Sequence, residues 1–363
     1  MKTYLNAVKS LFSDRPNYLI QYVTARCPAR CKMCFYWDEI ANATKHNELS
    51  VNELRSISKS FGNLQQVTLT GGEPFLRADL PEIVRIYDKQ NQASFISIPT
   101  SSLVLDRTRD SVKEMLKTTN NSHLVICISL DALGKDHDEI RAVPGCFDKV
   151  VANYENMARL KKDVKNFHIK INMTISAFNH SKVEEVAEFV LREMPMAAFN
   201  FNFVRGNAMD PEAKDIGLPE YQRVVQIARE KHNHMLEDFA LSKVVKAISS
   251  TTYEIIEDRI RTNERHLPCT AGSRMVVVSE EGVVKPCEIL GKEFGNLRDF
   301  DYDISKVLQQ AENQEVCSHI KDKKCSCTFE NAILNSTVSY PSMWPRIAKH
   351  LMRNELSKSA QAR

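Results

Sequence analysis

Short apolar segments alternate with amphipathic ones through the first two hundred residues of the chain. The segments with strand character lie at 18–23, 66–69, 94–99, 124–130, 167–175 and 199–204. The segments between them with the spacing of amphipathic helices lie at 51–60, 80–89, 107–117, 147–163 and 181–192. Strands joined through helices predict a parallel sheet of right-handed βαβ units. Because an eight-unit barrel takes about 250 residues, this shorter stretch predicts an α/β fold with a partial (β/α)6 barrel of the TIM type.

The periodic pattern ends after Arg205. The predicted organisation is a lead-in at 1–16, the barrel at 17–215, a helical linker at 216–265, a small cysteine-rich extension at 266–330 and a C-terminal tail at 331–363. In the tail, Trp344, Ile347 and Leu351 lie on one side of a basic amphipathic helix. We expect this helix to pack on the barrel or to cover its open side. Peripheral contact with a membrane or a partner is the alternative.

Composition and charge narrow the class of protein. Hydrophobic residues make up 43% and charged residues 26%, as in ordinary folded chains. The formal net charge of +3 argues against a dedicated nucleic-acid binder. No apolar run approaches the roughly 18 residues that span a bilayer. The charged start also lacks the apolar stretch of a secretory signal, so we expect a cytoplasmic protein.

The ten cysteines are distributed unevenly along the chain. In a chain without export signals, clustered cysteines indicate metal or redox chemistry rather than disulfides. Cys27, Cys31 and Cys34 follow the first predicted strand, at the end of the sheet where active sites form. Three thiolates can hold three irons of a 4Fe–4S cluster and leave the fourth iron open. A zinc site and three incidental thiols are the alternatives.

This spacing, Cys-x3-Cys-x2-Cys after the first strand of a βα barrel, resembles the signature of the radical S-adenosylmethionine (SAM) enzymes. The resemblance implies that the open iron binds the amino and carboxylate groups of the methionine moiety. It further implies that one electron cleaves the sulfonium and releases a 5′-deoxyadenosyl radical, which abstracts a substrate hydrogen. A one-electron reductant such as flavodoxin or ferredoxin is the implied partner. Met33 stands where the family often has an aromatic residue, and its thioether can cover an adenine edge.

A second segment agrees with the resemblance at the end of the second predicted strand. Gly71, Gly72, Glu73 and Pro74 match the GGEP segment, which in the family hydrogen-bonds the methionine amino group. Glycine allows the backbone to approach a ligand, and a carboxylate pairs with an ammonium group. Without the cysteine loop, the same four residues would only indicate a turn before a helix.

Later strand ends supply further matches. Thr100 and Ser101 open a Thr-Ser-Ser segment where relatives often have Thr-Asn-Gly, so a cofactor contact here requires serine in place of asparagine. Ser129 and Asp131 match the SLD element of the family. Arg141 matches an arginine that meets the cofactor carboxylate or ribose, a contact that suits the planar guanidinium. A surface salt bridge is the alternative for Arg141.

The late cysteines resemble the auxiliary-cluster hairpin of the SPASM and Twitch extensions. Cys269 and Cys287 lie at the two ends of a hairpin-like segment, and Cys325 with Cys327 completes a four-thiolate set. Four thiolates suit a saturated 4Fe–4S cluster for electron transfer or structural support. Five late cysteines are too few for the two-cluster SPASM pattern, so a Twitch-like extension fits better and Cys317 is interpreted as a bystander. Zinc is the alternative metal.

Together these matches predict a radical SAM enzyme with an auxiliary cluster, acting on a small molecule or lipid between barrel and extension. The short segment before the first strand disfavours a fused peptide-docking domain, and with it the alternative of a peptide or protein maturase. The alternative from another class is a non-enzymatic iron–sulfur or zinc protein for electron transfer or redox sensing. That alternative leaves the GGEP and SLD segments and Arg141 unexplained.

Overall fold

Six parallel strands, each paired with the next one along the chain, form the main part of the sheet. They are β1 (Tyr18–Thr24), β2 (Gln66–Gly71), β3 (Phe95–Thr100), β4 (His123–Ser129), β5 (Phe167–Ile175) and β6 (Ala197–Phe203). The structure, a computed structural model, describes residues 15–43, 47–162, 164–232, 242–265, 267–322 and 327–361. The predicted partial barrel is confirmed.

Helices connect the successive strands of the barrel. They are α1 (Trp37–Ala41), α2 (Val51–Ser60), α3 (Leu80–Gln90), α4 (Leu105–Thr118), α5 (Gly134–Arg141), α6 (Cys146–Lys161) and α7 (Val183–Glu193). Each predicted strand and helix of the barrel is present, with its ends within two residues of the prediction. The short helices α1 and α5 were not predicted.

The C-terminal part of the chain extends the same sheet. β7 (Met275–Val278) pairs in parallel with β1, and β8 (Val283–Lys285) and β9 (Gly295–Asn296) follow in antiparallel order. The described helices of this part are α8 (Leu218–His232), α9 (Ser242–Thr262), α10 (Ile304–Leu308), α11 (Ala311–Lys321), α12 (Glu330–Ser339) and α13 (Trp344–Gln361). Because β7 covers the second edge of β1, the cysteine-rich hairpin lies beside the strand that leads to Cys27.

Helix α12 lies across the open side of the barrel. The backbone N–H of Phe203, at the end of β6, donates to Glu330 Oε1 at 2.6 Å, and Asn335 Nδ2 donates to Asn17 Oδ1 at 3.1 Å. The expectation that the last helix covers this side is therefore wrong. α13 packs mainly against α9, because α12 already occupies the gap, and Trp344 remains 43% exposed. Among the described residues, no helix has the length and apolar character needed to cross a bilayer.

Alternation along β5 separates an apolar outer face from a polar face toward the barrel interior. On β5 the buried residues that pack under the helices are Phe167, Ile169, Ile171, Met173 and Ile175. The residues between them line the barrel interior: His168, Lys170, Asn172 and Thr174. The core of the domain therefore lies between the sheet and its helices, and the cavity at the centre of the barrel is polar along β5 but aromatic and aliphatic along β1.

The loop between α4 and β4 depends on one buried carboxylate. Asp88 on α3 accepts hydrogen bonds from the backbone N–H groups of Asn121 and Ser122, at 2.9 Å each. Asp88→Ala leaves both amides without this acceptor, so we expect it to lower the free energy of unfolding by about 2 to 4 kcal/mol. Asp88→Asn keeps one acceptor oxygen and should cost less. Urea denaturation measures the difference, and an Asp88→Ala variant as stable as wild type would contradict the prediction.

Candidate functional site

A cavity of about 600 Å³ extends through the barrel interior. At the carboxyl ends of the strands its lining includes Cys27, Cys31 and Cys34, which the sequence predicted as one set. Gly72 and Arg141 line the same end. Sequence analysis assigned these residues to three separate parts of the chain: a cysteine loop, a glycine-rich strand end and a distant arginine. The fold brings them together at one end of the cavity.

The cysteine loop is held from two sides by backbone hydrogen bonds. On one side, the N–H of Lys32 donates to the carbonyl of Ile140, near the end of α5, at 3.0 Å. On the other side, the N–H groups of Met209 and Asp210 donate to the carbonyls of Cys34 and Lys32, at 2.9 and 2.8 Å. Backbone on both sides therefore fixes the position of the loop.

The three thiols of this loop lie in an environment that disfavours free thiolates. Burial raises the pKa of Cys27 to about 12 and that of Cys34 to about 11, and it also raises the pKa of Cys31. Backbone N–H groups of Ala29 and Tyr36, each two residues beyond a cysteine, donate to the sulfurs of Cys27 and Cys34 and oppose this shift. Sulfurs that are buried and yet receive N–H donors fit iron ligands, because bound metal keeps them deprotonated.

The spread of the thiols also bears on the kind of centre they could hold. Within the part of the chain that the structure describes, no three His, Cys, Asp or Glu side chains form a group that could hold a single metal ion. Cys27, Cys31 and Cys34 instead line a shared cavity and act on one another electrostatically. Three sulfurs around one space can hold three irons of a cluster, in which each cysteine binds a different iron.

The two glycines at the end of β2 permit close contact with the chain that leads to Cys27. Gly71 has φ +126°, and a Cβ there would lie 2.1 Å from the carbonyl oxygen of Thr24. A Cβ on Gly72 would lie 2.2 Å from the carbonyl oxygen of Arg26. The N–H groups of Gly72 and Glu73 donate to these carbonyls, each at 2.8 Å. Larger residues at both positions would push β2 away from the cysteine loop.

Glu73 does not face the cavity. Its carboxylate is fully buried and accepts from the Thr100 hydroxyl at 3.0 Å, the Ser101 N–H at 2.8 Å, the Ser101 hydroxyl and the Phe75 N–H. Burial raises the pKa of Glu73 while these donors oppose the shift. In this structure the oxygens of Glu73 are bound by Thr100, Ser101 and Phe75, and the expected pairing of its carboxylate with an ammonium group stays a prediction. Pro74 is also buried and outside the cavity lining.

Arg141 belongs to the cavity wall and not to a surface salt bridge. It lines the cavity and its Nε lies 2.5 Å from Asp131 Oδ2, while its Nη1 lies 3.7 Å from Cys31 Sγ. Asp131 is fully buried and also accepts from the N–H of Thr174 at 2.8 Å. Asp131 therefore orients Arg141 without facing the cavity, whereas Ser129 of the same SLD element lines it.

The late cysteines form a second group beside β1. Cys269 and Cys287 are buried at the two ends of the β7–β8 hairpin, and burial, with added repulsion from Cys327 and Cys269, raises the pKa of Cys287 to about 12. The N–H of Ala271 donates to Cys269 Sγ at 3.4 Å, the same two-residue step that occurs at Cys27 and Cys34. This repeated geometry fits a second set of metal ligands.

The structure describes only one of the two remaining late cysteines. Cys325 lies outside the described residues. Cys317 on α11 is half-buried, and its Sγ donates to the carbonyl of Gly272 at 3.3 Å. Its bystander role stays a prediction.

Sequence analysis missed an ion pair in the cavity wall. Arg205, just after β6, approaches Glu288 with Nη2 at 2.8 Å from Oε2, and the Tyr22 hydroxyl donates to Glu288 Oε1 at 2.6 Å. All three residues line the cavity. The available signals were the position of Glu288 directly after Cys287 and that of Arg205 at the end of the last barrel strand.

Comparison with known proteins gives related sequences with named activities. Residues 22–190 match the Radical SAM superfamily. The chain is 27% identical over 188 residues to a GTP 3′,8-cyclase of Alkaliphilus oremlandii, which covers 51% of this chain and 55% of the cyclase. The match thus spans little more than half of the cyclase's length. The chain is 23% identical over 326 residues to an AdoMet-dependent heme synthase of Methanosarcina barkeri, covering 85% and 86% of the two chains.

Solved structures with the same fold include enzymes with bound cofactor. SuiB of Streptococcus suis bound to S-adenosylmethionine has a TM-score of 0.60 at 17% identity, covering 87% of this chain and 71% of SuiB. The protein anSMEcpe with bound AdoMet has a TM-score of 0.58 at 15% identity, covering 93% and 99%. At such identities the similarity concerns the fold. The family match over residues 22–190, together with the related enzyme sequences, identifies this part of the chain as a radical SAM domain and the chain as an enzyme.

Proposed function

We propose that the enzyme reductively cleaves SAM at a 4Fe–4S cluster held by Cys27, Cys31 and Cys34 and abstracts a hydrogen from a small-molecule or lipid substrate. The observation that carries this proposal is the placement of the three thiols at one end of a single deep cavity. Three protein ligands for four irons leave one iron for the cofactor. When bound, this cluster supplies the electron that cleaves SAM, with flavodoxin or ferredoxin as the proposed source of the electron.

The protein contributes binding and orientation around that centre. The backbone at Gly71 and Gly72 lines the cavity and can approach the methionine moiety, since neither residue carries a side chain. Arg141, oriented by Asp131, offers a guanidinium for the carboxylate of the cofactor. Glu73 acts indirectly, because its carboxylate holds the end of β3 in place through Thr100 and Ser101.

The shape and lining of the cavity support a small substrate. A volume of about 600 Å³ lies in the range of small-molecule sites. Amides of Asn172, Asn200 and Asn202 line its interior, and Asn200 and Asn202 both donate to Asn172 Oδ1. Apolar side chains of α9 and α12 line it near the surface: Val245, Ile248, Leu334 and Val338. We infer a substrate with a polar part and an apolar part.

A peptide or protein maturase is the second candidate function. It is supported by the fold similarity to SuiB, which has been solved with its precursor peptide SuiA, at a TM-score of 0.60 and 16% identity. The relatives named as GTP 3′,8-cyclase and AdoMet-dependent heme synthase are the more similar in sequence, at 27% and 23% identity, and favour a small molecule.

For the late cysteines we propose an auxiliary 4Fe–4S cluster. Cys269, Cys287 and Cys327 interact electrostatically in the structure, and Cys325 would supply the fourth thiolate. Four thiolates leave no open iron, so this centre would transfer electrons or support the extension. It lies beside the substrate cavity, because Glu288, the residue after Cys287, lines the cavity wall.

Loss of one cysteine of the first set should abolish SAM cleavage. In Cys27→Ala, the cluster loses a ligand that no neighbouring residue replaces, and 5′-deoxyadenosine formation under dithionite should fall to background. Chromatographic measurement of 5′-deoxyadenosine tests this, with Cys317→Ser as the matched control that retains the product. Continued product formation by Cys27→Ala would refute the assignment.

Glu73→Gln should weaken SAM binding without loss of iron. The new amide places N–H donors opposite the Thr100 and Ser101 donors, which disturbs the end of β3, and we expect affinity to fall by about tenfold. Anaerobic equilibrium dialysis with labelled SAM measures the change. The exposed substitution Glu155→Gln is the control. Because the effect acts through Ser101, Ser101→Ala should also weaken binding, and an unchanged affinity there would contradict the indirect role.

Cys287→Ser should remove the auxiliary cluster alone. After anaerobic reconstitution, we expect a loss of about four irons per chain relative to wild type, while the first cluster remains detectable by EPR. Cys317→Ser should keep all of its iron. Stoichiometric zinc in the purified protein, with an iron content unaffected by Cys287→Ser, would contradict the auxiliary cluster.

A further inference from the structure

The segment 205–210 after β6 lies along the outside of the first cysteine loop. Gly206 has φ +66°, and a Cβ there would lie 3.1 Å from Cβ of Phe35. The indole N–H of Trp37 donates to the carbonyl of Asn207 at 3.2 Å. Together with the bond from the Met209 N–H to the Cys34 carbonyl, these contacts make the segment one wall of the loop.

The first residue of this segment, Arg205, holds a buried guanidinium between two aromatic rings. Its Cζ lies 4.9 Å from the ring centre of Phe35 and 4.8 Å from that of Phe329. The same guanidinium pairs with a carboxylate: Nε and Nη2 approach Glu288 Oε2 at 3.0 and 2.8 Å. The side chains of Arg205 and Glu288 are only 17% and 4% exposed, so both charges depend on each other.

The partners of Arg205 come from both cysteine sets. Phe35 directly follows Cys34, Glu288 directly follows Cys287, and Phe329 lies two residues after Cys327. Ring stacking restrains the guanidinium in one direction and the ion pair restrains it in the other. The Arg205 side chain therefore contacts three residues that each lie within two positions of a cysteine, one in the first set and two in the late set.

We propose that Arg205 is a positioning residue that fixes the late cysteines relative to the Cys27–Cys34 loop and sets the charge environment between them. The proposal rests on the proposed function for the identity of the two centres. A cation near an iron–sulfur centre stabilises its more negative, reduced form, and a neighbouring carboxylate has the opposite effect. In the wild-type protein the Arg205 guanidinium pairs with Glu288 and also acts electrostatically on the buried Glu330.

The reduction potentials of the two centres test the electrostatic role of Arg205. A purely structural role would not shift them in a fixed direction. In reconstituted Arg205→Met, Glu288 loses its counter-charge, and EPR-monitored titration should show a shift to more negative potential in at least one centre. Arg205→Lys keeps the charge and should shift less. The exposed Arg159→Met is the matched control and should match wild type. Potentials for Arg205→Met equal to those of wild type would overturn the electrostatic part of the proposal.

Tryptophan fluorescence tests the positional part without using either centre's activity. The chain has two tryptophans, so in a Trp344→Phe background Trp37 reports alone on the contact with segment 205–210. Arg205→Met in that background should shift the emission to longer wavelength and increase acrylamide quenching. Identical emission and quenching with and without Arg205→Met would overturn the positional part.

A second variant keeps the proposal testable if Arg205→Met does not fold. Glu288→Gln leaves Arg205 in place and removes the carboxylate, so the affected potential should shift to more positive values. No shift, or a negative one, would overturn the proposal. Iron analysis of the wild type separates this outcome from failure of the proposed function. If only one cluster is present, the auxiliary assignment fails, while the Trp37 measurement still decides whether Arg205 positions the loop.

Discussion

Backbone pairing on both edges of β1 is the constraint on which the rest of the site depends. β1 pairs with β2 on one edge and with β7 on the other, both in parallel. The first pairing places the Gly71–Gly72 turn against the chain that leads to Cys27, and the second places the hairpin of Cys269 and Cys287 beside the same strand. A strand with two covered edges cannot slip in register without breaking both ladders. The segments that carry the two cysteine sets are therefore held in fixed positions relative to β1 and to each other.

Burial of polar groups around these segments is balanced by specific partners. Glu73 is fully buried but accepts from Thr100, Ser101 and Phe75, and Arg141 is paired with Asp131. The thiols differ, because burial raises their pKa values and hydrogen bonds to sulfur oppose the shift only in part. A bound metal would keep such sulfurs deprotonated, which is in line with the proposed clusters. The neighbouring polar groups, in contrast, have their hydrogen-bond partners within the protein.

The sequence allowed the barrel and the first cysteine set to be predicted, because both depend on local patterns. Alternation over β5 identified both of its ends, and the cysteine spacing after β1 predicted one loop whose three thiols line the same cavity. Helix α5 was missed because its sequence from Gly134 to Arg141 is only eight residues long and strongly polar. The role of α13 was predicted wrongly, since an apolar side indicates that a helix packs but not against which element. The orientation of Glu73 depends on Thr100 and Ser101, which are distant in sequence, so the motif alone could not reveal it.

Strand β5 separates the side chains that hold the fold together from those that line the cavity. Along β5, the side chains that stabilise the domain point outward beneath the helices, and those between them point into the cavity. A substitution at an inward position such as Asn172 removes little apolar packing, so it can alter selectivity at small cost to folding. The inward positions of β5 can therefore be changed to accommodate a different ligand, while the outward positions continue to hold the strand against the helices.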